Sequence, residues 1–110
     1  MAGKFEITKA GDTFSFELFI DDKAVGKSPV FDKEDACKRS VKAVKKNSRM
    51  KVQNTLANDE EKTNPKYLVE ADGEKVKYTL FLQTGAVALE GSADSEAEVL
   101  DIIEKIGNNA

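Results

Sequence analysis

The sequence predicts an α+β fold in which a unit of three strands and a helix occurs twice. The stretch from Phe14 to Ile20, Phe-Ser-Phe-Glu-Leu-Phe-Ile, returns 62 positions later as Val76 to Leu82, Val-Lys-Tyr-Thr-Leu-Phe-Leu. Both stretches alternate in character and are rich in aromatic and β-branched residues, which is typical of a strand with one face on a core. The apolar stripes of two predicted helices are displaced by the same 62 positions. Together these observations indicate a tandem repeat.

Each copy is expected to begin with three short strands. Alternation of polar and apolar residues predicts the strands, and turn sequences such as Ala10-Gly11-Asp12 and Asp72-Gly73 separate them. Pro29 is expected to end the third strand of the first copy. The predicted strands are Lys4 to Lys9, Phe14 to Ile20 and Ala24 to Ser28, then in the second copy the segment of Tyr67 and Val69, Val76 to Leu82, and Ala86 to Glu90.

A helix is expected to follow the strands in each copy. Asp32 is the predicted N-cap of the first helix, and Asp94 or Ser95 that of the second. Asn47 is expected to close the first helix in the left-handed conformation. The predicted buried stripes are Cys37, Ser40, Val41 and Val44 in the first helix and Val99, Ile102, Ile103 and Ile106 in the second.

Two further segments lie between the copies. Met50 to Leu56 alternates again and predicts a fourth strand, whereas Asn58 to Pro65 is polar, acidic and closed by proline, which is typical of a solvated linker. With no gap at the 62-residue shift, nine positions are identical, including both turn glycines and both cap aspartates. Backbone geometry restricts the residue at such positions, so their agreement favours duplication.

Three motifs resemble those of the YegP-like family of small prokaryotic proteins. They are Lys4-Phe5-Glu6-Ile7, then Phe14-x-Phe16-x-Leu18, then Val41-x-Ala43-Val44-Lys45-Lys46-Asn47-Ser48. The resemblance implies two β-β-β-α units joined in one antiparallel sheet, with both helices on one face. It also implies that a strand after the helix is exchanged toward the partner unit. By this resemblance Met50 to Leu56 would be that strand, and no equivalent is expected after the second helix. The family brings no established activity to this chain.

The chain of 110 residues suits one domain and is too short for two independent ones. The two copies are therefore expected to share one core within a single domain, residues 1–110. Repeat one is predicted at residues 2–57, including the exchanged strand 50–56, the linker at 58–65, and repeat two at 66–110. A monomer that is a pseudo-dimer within one chain is the expected state.

Composition excludes several classes of chemistry. The chain has no histidine and one cysteine, Cys37, so Ser-His-Asp and Cys-His catalysis and Cys-x-x-Cys zinc sites are impossible within it. Neither the acidic cluster Asp59-Glu60-Glu61 nor any other segment has the spacing of a calcium loop. Carboxylate chemistry alone remains open, and an enzyme is the third hypothesis because no convergent polar motif is present. We therefore expect no catalytic residues, no metal and no cofactor, and Cys37 is interpreted as an apolar filler of the first helix rather than a reactive thiol.

Cysteine usage and hydropathy bear on location. A single cysteine cannot form an internal disulfide, and the N-terminus has no long apolar run of the kind found in a secretory signal. No stretch approaches the roughly 18 apolar residues that span a bilayer. The sequence thus predicts a cytoplasmic protein outside the membrane.

One candidate interaction surface is the basic face of the first helix. Residues 1–55 carry 12 Lys and Arg against 8 Asp and Glu, and residues 56–110 carry 5 against 12. The basic patch could bind phosphate backbones or an acidic protein. The alternative is a solvated face partly neutralised by Asp101 and Glu104. The patch consists of Lys38, Arg39, Lys42, Lys45, Lys46, Arg49 and Lys51.

The second candidate surface is the face of the sheet that points away from the helices. Phe19 and Phe81 are expected there among polar residues, where they could contact a partner or a second copy. The alternative is that they pack on each other across strands. The function favoured by the sequence is a non-catalytic macromolecular interaction or accessory module with an unknown partner, for which a protein is one candidate. Nucleic-acid binding through the first helix is the alternative function.

Overall fold

The structure is a computed structural model that describes residues 3–109. These residues form seven strands, two α-helices and one 3-10 turn. In chain order they are β1 (Lys4–Ala10), β2 (Thr13–Ile20), β3 (Lys23–Lys27), α1 (Glu34–Lys46), β4 (Val52–Asn54), the 3-10 turn Thr55–Ala57, β5 (Lys66–Asp72), β6 (Lys75–Phe81), β7 (Val87–Ala93) and α2 (Glu96–Asn109). The α+β class predicted from the sequence is confirmed.

All seven strands belong to one sheet of order β1-β2-β3-β7-β6-β5-β4, so β1 and β4 lie at its edges. Six of the strands pair antiparallel along the order, but β4 runs parallel to β5. The prediction of a purely antiparallel sheet is therefore wrong at this edge. After β4, residues 58–65 carry the chain back to the start of β5, and such a return makes successive strands parallel.

The fourth strand is shorter than the predicted 50–56. It ends at Asn54, whose Oδ1 accepts the Leu56 N–H at 3.0 Å, and the backbone then turns into the 3-10 segment. Side chains of asparagine compete with the sheet ladder in this way by bonding to the backbone two residues ahead. Alternation predicts a longer strand because it does not reflect this competition between a side chain and the sheet.

The helix caps differ in part from those predicted. α1 begins at Glu34 after Lys33, with no capping side-chain hydrogen bond, so Asp32 is not its cap. The Phe31 backbone pairs with Phe14 through bonds of 2.7 and 2.8 Å, which keeps the chain extended just before the helix. Asn47 has φ −107°, so the predicted left-handed closure is also wrong. In α2 the Ser95 Oγ accepts the Glu98 N–H at 3.2 Å, which makes Ser95 the cap.

Both helices cover one face of the sheet, and a single core lies between the two layers. Inward side chains of β2, β3, β5, β6 and β7 pack against the buried stripes of the helices. The largest fully buried side chains are Tyr67, Tyr78, Phe16, Leu18, Leu80, Leu89, Ile106, Val44, Val69, Val99 and Cys37. Between Gly3 and Asn109 neither helix has the length and hydropathy needed to cross a bilayer.

The hairpins β1–β2 and β5–β6 have matching registers. Lys4 lies opposite Phe19 as Lys66 lies opposite Phe81, and every later pair is displaced by the same interval. The following hairpins, β2–β3 and β6–β7, each shift register at the matching point, between Leu18 and Phe19 and between Leu80 and Phe81. The matching registers place Phe5 and Ile7 of β1 at the positions that Tyr67 and Val69 hold on β5.

The two sets of hairpins meet where β3 lies beside β7. Only Lys27 and Glu90 form a strand pair at this junction among the residues described. The fully buried Tyr78, on β6, extends beneath β7 and donates its hydroxyl to the Val25 carbonyl of β3 at 2.7 Å. Side-chain contacts therefore supplement a short ladder between the two halves of the sheet.

The segment between β4 and β5 is held by the side chain of Gln53. Its Oε1 accepts the Lys62 N–H at 2.8 Å and the Lys66 ammonium at 2.7 Å. Lys66, only 9% exposed, also donates to the Lys62 carbonyl at 2.7 Å. The predicted solvated linker is thus fastened to the sheet at its C-terminal half.

Replacing Gln53 with alanine is expected to lower the free energy of unfolding by about 1.5 kcal/mol, because the buried ammonium of Lys66 loses an acceptor. Urea unfolding at neutral pH measures the change. The control is Glu60→Ala, an exposed residue of the same segment, for which we expect a change within about 0.5 kcal/mol. Equal unfolding midpoints for the two variants would contradict the role given to Gln53.

Candidate interaction surfaces

The predicted basic residues are exposed, on α1 or just beyond it. Some of them have local partners. Lys38 pairs with Glu34 at 3.0 Å, and the Lys45 ammonium lies 5.5 Å from the centre of the Phe5 ring. Arg49 donates from Nε to the Gly107 carbonyl of α2 at 2.8 Å. These contacts tie part of the patch to β1 and to α2.

Arg39, Lys42 and Lys46 have no carboxylate within 4.0 Å among residues 3–109. Their spacing of three and four residues places them on one side of α1. Asp101, which the alternative of a solvated face named with Glu104 as a partial neutraliser, pairs with Lys105 of its own helix at 3.1 Å. Within residues 3–109, neither Asp101 nor Glu104 forms an ion pair with these three cations, which lie on a solvated side of α1.

Phe19 and Phe81 lie half-buried on the sheet face that the helices leave uncovered. They are not cross-strand neighbours, because β3 and β7 separate β2 from β6. At about 4.8 Å per strand, the two backbones lie on the order of 14 Å apart. The alternative that the two rings pack on each other is therefore wrong. The strand order explains the error, since the halves join through β3 and β7.

The uncovered sheet face is charged rather than apolar. Lys27 of β3 lies between Glu17 and Glu90, its strand partners on either side. Lys77 lies opposite Glu70, with 3.8 Å between their charged atoms. Phe19 lies opposite Lys4 and Ala24, and Phe81 lies opposite Lys66 and Val87, so each phenylalanine has a lysine as one of its two strand partners. The structure thus separates the two phenylalanines into small sites with charged neighbours.

The outer edge of β1 is an apolar site that sequence reasoning did not single out. Ile7 is 41% exposed, whereas Val69, at the matching position of β5, is fully buried. Phe5 is half-buried, and its counterpart Tyr67 is fully buried. Alternation alone marks Phe5 and Ile7 as core residues. Their exposure follows from the position of β1 at the edge of the sheet, which depends on strand order.

The remaining polar groups of the chain have limited chemistry. Cys37 is fully buried, and burial raises the pKa of its thiol, with a further contribution from the Glu34 carboxylate, so the reactive thiolate is disfavoured. Among residues 3–109, no three His, Cys, Asp or Glu side chains are grouped closely enough to hold a metal ion. The basic face of α1 and the edge of β1 are the candidate interaction surfaces of the described residues.

Two solved structures are similar to this chain over nearly its full length. The solution NMR structure of UPF0339 protein SO3888 from Shewanella oneidensis has a TM-score of 0.78 and 18% identity, and the match covers 99% of this chain and 85% of that chain. The solution NMR structure of the protein of unknown function yegP from E. coli has a TM-score of 0.74 and 20% identity, with coverages of 99% and 86%. The chain has the YegP-like fold.

The YegP-like fold agrees with the resemblance drawn from the three sequence motifs. Identities of 18% and 20% show the fold alone, since unrelated functions occur on one fold. Neither a protein-family model nor a curated protein sequence matches the chain. The fold therefore leaves open which surface of the chain carries its function.

Proposed function

We propose that this protein is a non-catalytic protein-interaction module of the cytoplasm, which binds its partner where the edge of β1 meets the basic face of α1. The observation that carries the proposal is the contrast between the two edge environments. Ile7 is 41% exposed while its counterpart Val69 is fully buried. Large exposed apolar side chains beside an open strand edge are typical of a surface that pairs with another chain.

The charges around this edge favour a protein partner with acidic residues. The Lys45 ammonium lies over Phe5, and Lys9 lies 5.9 Å from the ring centre of Phe14 at the other end of the edge. Apolar and cationic groups thus alternate along one margin of the molecule. Such a margin combines contact area with electrostatic steering of an oppositely charged partner.

We propose further that the chain is a tandem duplication, monomeric in solution, with a pseudo-twofold axis between β3 and β7. The displacement of both hairpin registers by one interval supports it. So do the left-handed turn glycines Gly11 and Gly73, with φ of 61° and 63°. A strand register and a turn conformation are independent constraints on a sequence, so their joint repetition supports a common origin.

A pull-down from a bacterial lysate, with and without nuclease, tests the interaction proposal. We expect the wild-type chain to capture proteins whether or not nuclease is present. Capture should be lost with Ile7→Asp and with the double variant Lys42→Glu with Lys46→Glu. The matched control is Lys23→Glu with Lys75→Glu, which reverses two exposed lysines outside α1. Capture that is equal for all variants would contradict the proposed surface.

Nucleic-acid binding is the second candidate, favoured by the cations Arg39, Lys42 and Lys46 on one side of α1. We expect labelled RNA or DNA to bind at about 50 mM salt and to be released as salt rises, because each neutralised phosphate frees a counterion. The Lys42→Glu with Lys46→Glu variant should bind at least tenfold more weakly. Absence of binding at about 50 mM salt excludes this candidate.

A further inference from the structure

We infer that the free edge of β1 binds an extended segment of a partner protein that has acidic residues at both ends. This segment would run parallel to β1 and lie beside it in the same way that β4 lies beside β5. The inference rests on the proposed function and specifies the form of the partner at that surface. It commits to strand addition, a recognised mode of peptide binding in which main-chain hydrogen bonds supply affinity.

The opposite edge of the sheet provides the template. There Val52, Gln53 and Asn54 lie parallel to the residues Tyr67, Leu68 and Val69 of β5. The Tyr67 N–H donates to the Lys51 carbonyl at 2.9 Å, and the Thr55 hydroxyl donates to the Val69 carbonyl at 2.7 Å. The main chain of Tyr67 and Val69 is thus directed outward from the β5–β6 hairpin.

Phe5 and Ile7 hold the corresponding places on β1. Because β1 pairs with β2 in the register by which β5 pairs with β6, their main-chain groups are also directed away from the hairpin. Within residues 3–109, no strand lies on that side of β1, and no group outside the β1–β2 ladder bonds to the backbone from Lys4 to Lys9. The edge therefore offers the donors and acceptors that β5 uses to hold β4.

Side-chain burial agrees with this assignment. Beside β4 and the 3-10 turn, Tyr67 and Val69 are fully buried. Without such a neighbour, Ile7 is 41% exposed and Phe5 is covered in part by the Lys45 side chain. A strand docked on β1 would remove Ile7 from water, so apolar contact and backbone pairing favour the same position for the partner.

The helix ends define the chemistry of the docked segment. Asn54 donates its Nδ2 to Glu96, in the first turn of α2, at 2.8 Å. Glu34 has the corresponding place in the first turn of α1, where it is exposed beside Lys38. We therefore expect the partner to present an amide or cationic side chain that reaches Glu34.

Two lysines bound the length of the docked segment. Lys45 stands at the position that corresponds to Gly107, which on the other side accepts the hydrogen bond from Arg49. Its ammonium lies 5.5 Å from the centre of the Phe5 ring. We therefore expect the segment to begin opposite Phe5 with its two ends near Lys45 and Lys9, which favours acidic flanks.

A peptide titration tests the inference on the full chain. The probe has the sequence of residues 50–56 with Lys51→Glu and one aspartate added at each end. We expect saturable shifts of the amide signals of Phe5, Ile7 and Lys9 in ¹⁵N–¹H spectra, and slower hydrogen exchange at Phe5 and Ile7. The control peptide has proline in place of the central glutamine, which removes a backbone donor from the strand. No shifts at β1 with about 1 mM probe, or shifts at β5 only, would overturn the inference.

Variants of the edge complete the test. Ile7→Pro removes an outward N–H without touching the β1–β2 ladder, and proline is tolerated on an edge strand in this orientation. We expect at least tenfold weaker probe binding, and Ile7→Asp should have a similar effect if the proline variant does not fold. Thr8→Ala, whose side chain is on the opposite sheet face, should bind as wild type does.

The outcomes separate this inference from the proposed function. Partner capture that depends on Ile7 and Lys42, together with a probe that does not bind β1, would overturn parallel strand addition and leave the interaction surface standing. Shifts at β1 that appear on raising the concentration of the protein alone, with a doubled mass in solution, would assign the edge to a second copy and overturn the peptide partner.

Discussion

Replacing Gly91 with alanine is expected to lower the free energy of unfolding by about 3 kcal/mol. Gly91 is a residue of β7 that lies opposite Tyr78 of β6 and close to β3. A Cβ at this position would come within 2.5 Å of the Val25 carbonyl oxygen and 2.6 Å of Cε2 of the Tyr78 ring. Neither neighbour can yield easily, since one is backbone and the other is a fully buried ring that is hydrogen-bonded to that same carbonyl.

Urea unfolding at 25 °C measures the loss, and Gly107→Ala is the matched control. A Cβ at Gly107 would find its nearest neighbours, in Arg49 and Ser48, at 3.4 Å. Because alanine favours a helix over glycine, this control should change stability by less than about 1 kcal/mol, toward greater stability. If Gly91→Ala and Gly107→Ala unfold at the same urea concentration, the β3–β7 junction is not tightly packed around Gly91.

The effect at Gly91 matters for the whole molecule because of where the residue lies. Within residues 3–109 the two halves of the sheet share one strand pair, Lys27 with Glu90, and the core and Tyr78 also join them. A side chain that separates β7 from β3 disturbs both halves at once. We therefore expect Gly91→Ala to destabilise the halves together in one transition, as is usual for a single domain with one core.

The elements that the sequence predicts well are those whose signal is local. The alternation of Phe14 to Ile20 and the helical stripe around Val44 depend on residues a few positions apart, so strands and helices are found near their predicted places. Strand order is not local. The parallel pairing of β4 and the edge position of Ile7 depend on contacts between residues far apart in sequence, and no periodicity encodes them.

The candidate surfaces divide in the same way. Exposure of Arg39 and Lys42 follows from helical periodicity and was predictable, but the pairing of Asp101 with Lys105 instead of with that patch was not. The close packing at Gly91 and the hydrogen bond of Tyr78 were not predicted either. Both depend on β3 lying beside β7, which the sequence pattern does not show. A glycine inside a strand pattern is the one signal that could have suggested a close backbone approach.

Removing the Tyr78 hydroxyl is expected to lower the free energy of unfolding by about 2 kcal/mol at neutral pH, because Tyr78→Phe leaves the buried Val25 carbonyl without its donor. The 2.7 Å bond joins the two halves of the sheet at a fully buried site. The matched control is Phe16→Tyr at the corresponding position of β2, which adds a hydroxyl to the core instead of removing one. A stability of Tyr78→Phe within about 0.5 kcal/mol of the wild type would contradict the role of this bond.

The same tyrosine gives the protein a defined sensitivity to alkali. Burial raises the pKa of Tyr78 and of Tyr67 above the ordinary value of 10.0, with Tyr67 and Glu90 adding to the shift at Tyr78. Above about pH 10 the unfolded chain therefore releases protons that the folded chain retains, and stability falls by about 1.4 kcal/mol per pH unit for each tyrosine. Below that pH the contribution is fully present. Urea unfolding between about pH 8 and 11.5 gives the slope of the free energy of unfolding against pH. This slope should be shallower for Tyr78→Phe than for the wild type by the contribution of one tyrosine. Lysine titrations are common to both proteins and cancel in the comparison. Equal slopes for the two proteins would mean that the Tyr78 phenol ionises as readily in the folded protein as in the unfolded chain. That result would contradict the burial of the phenol against Val25.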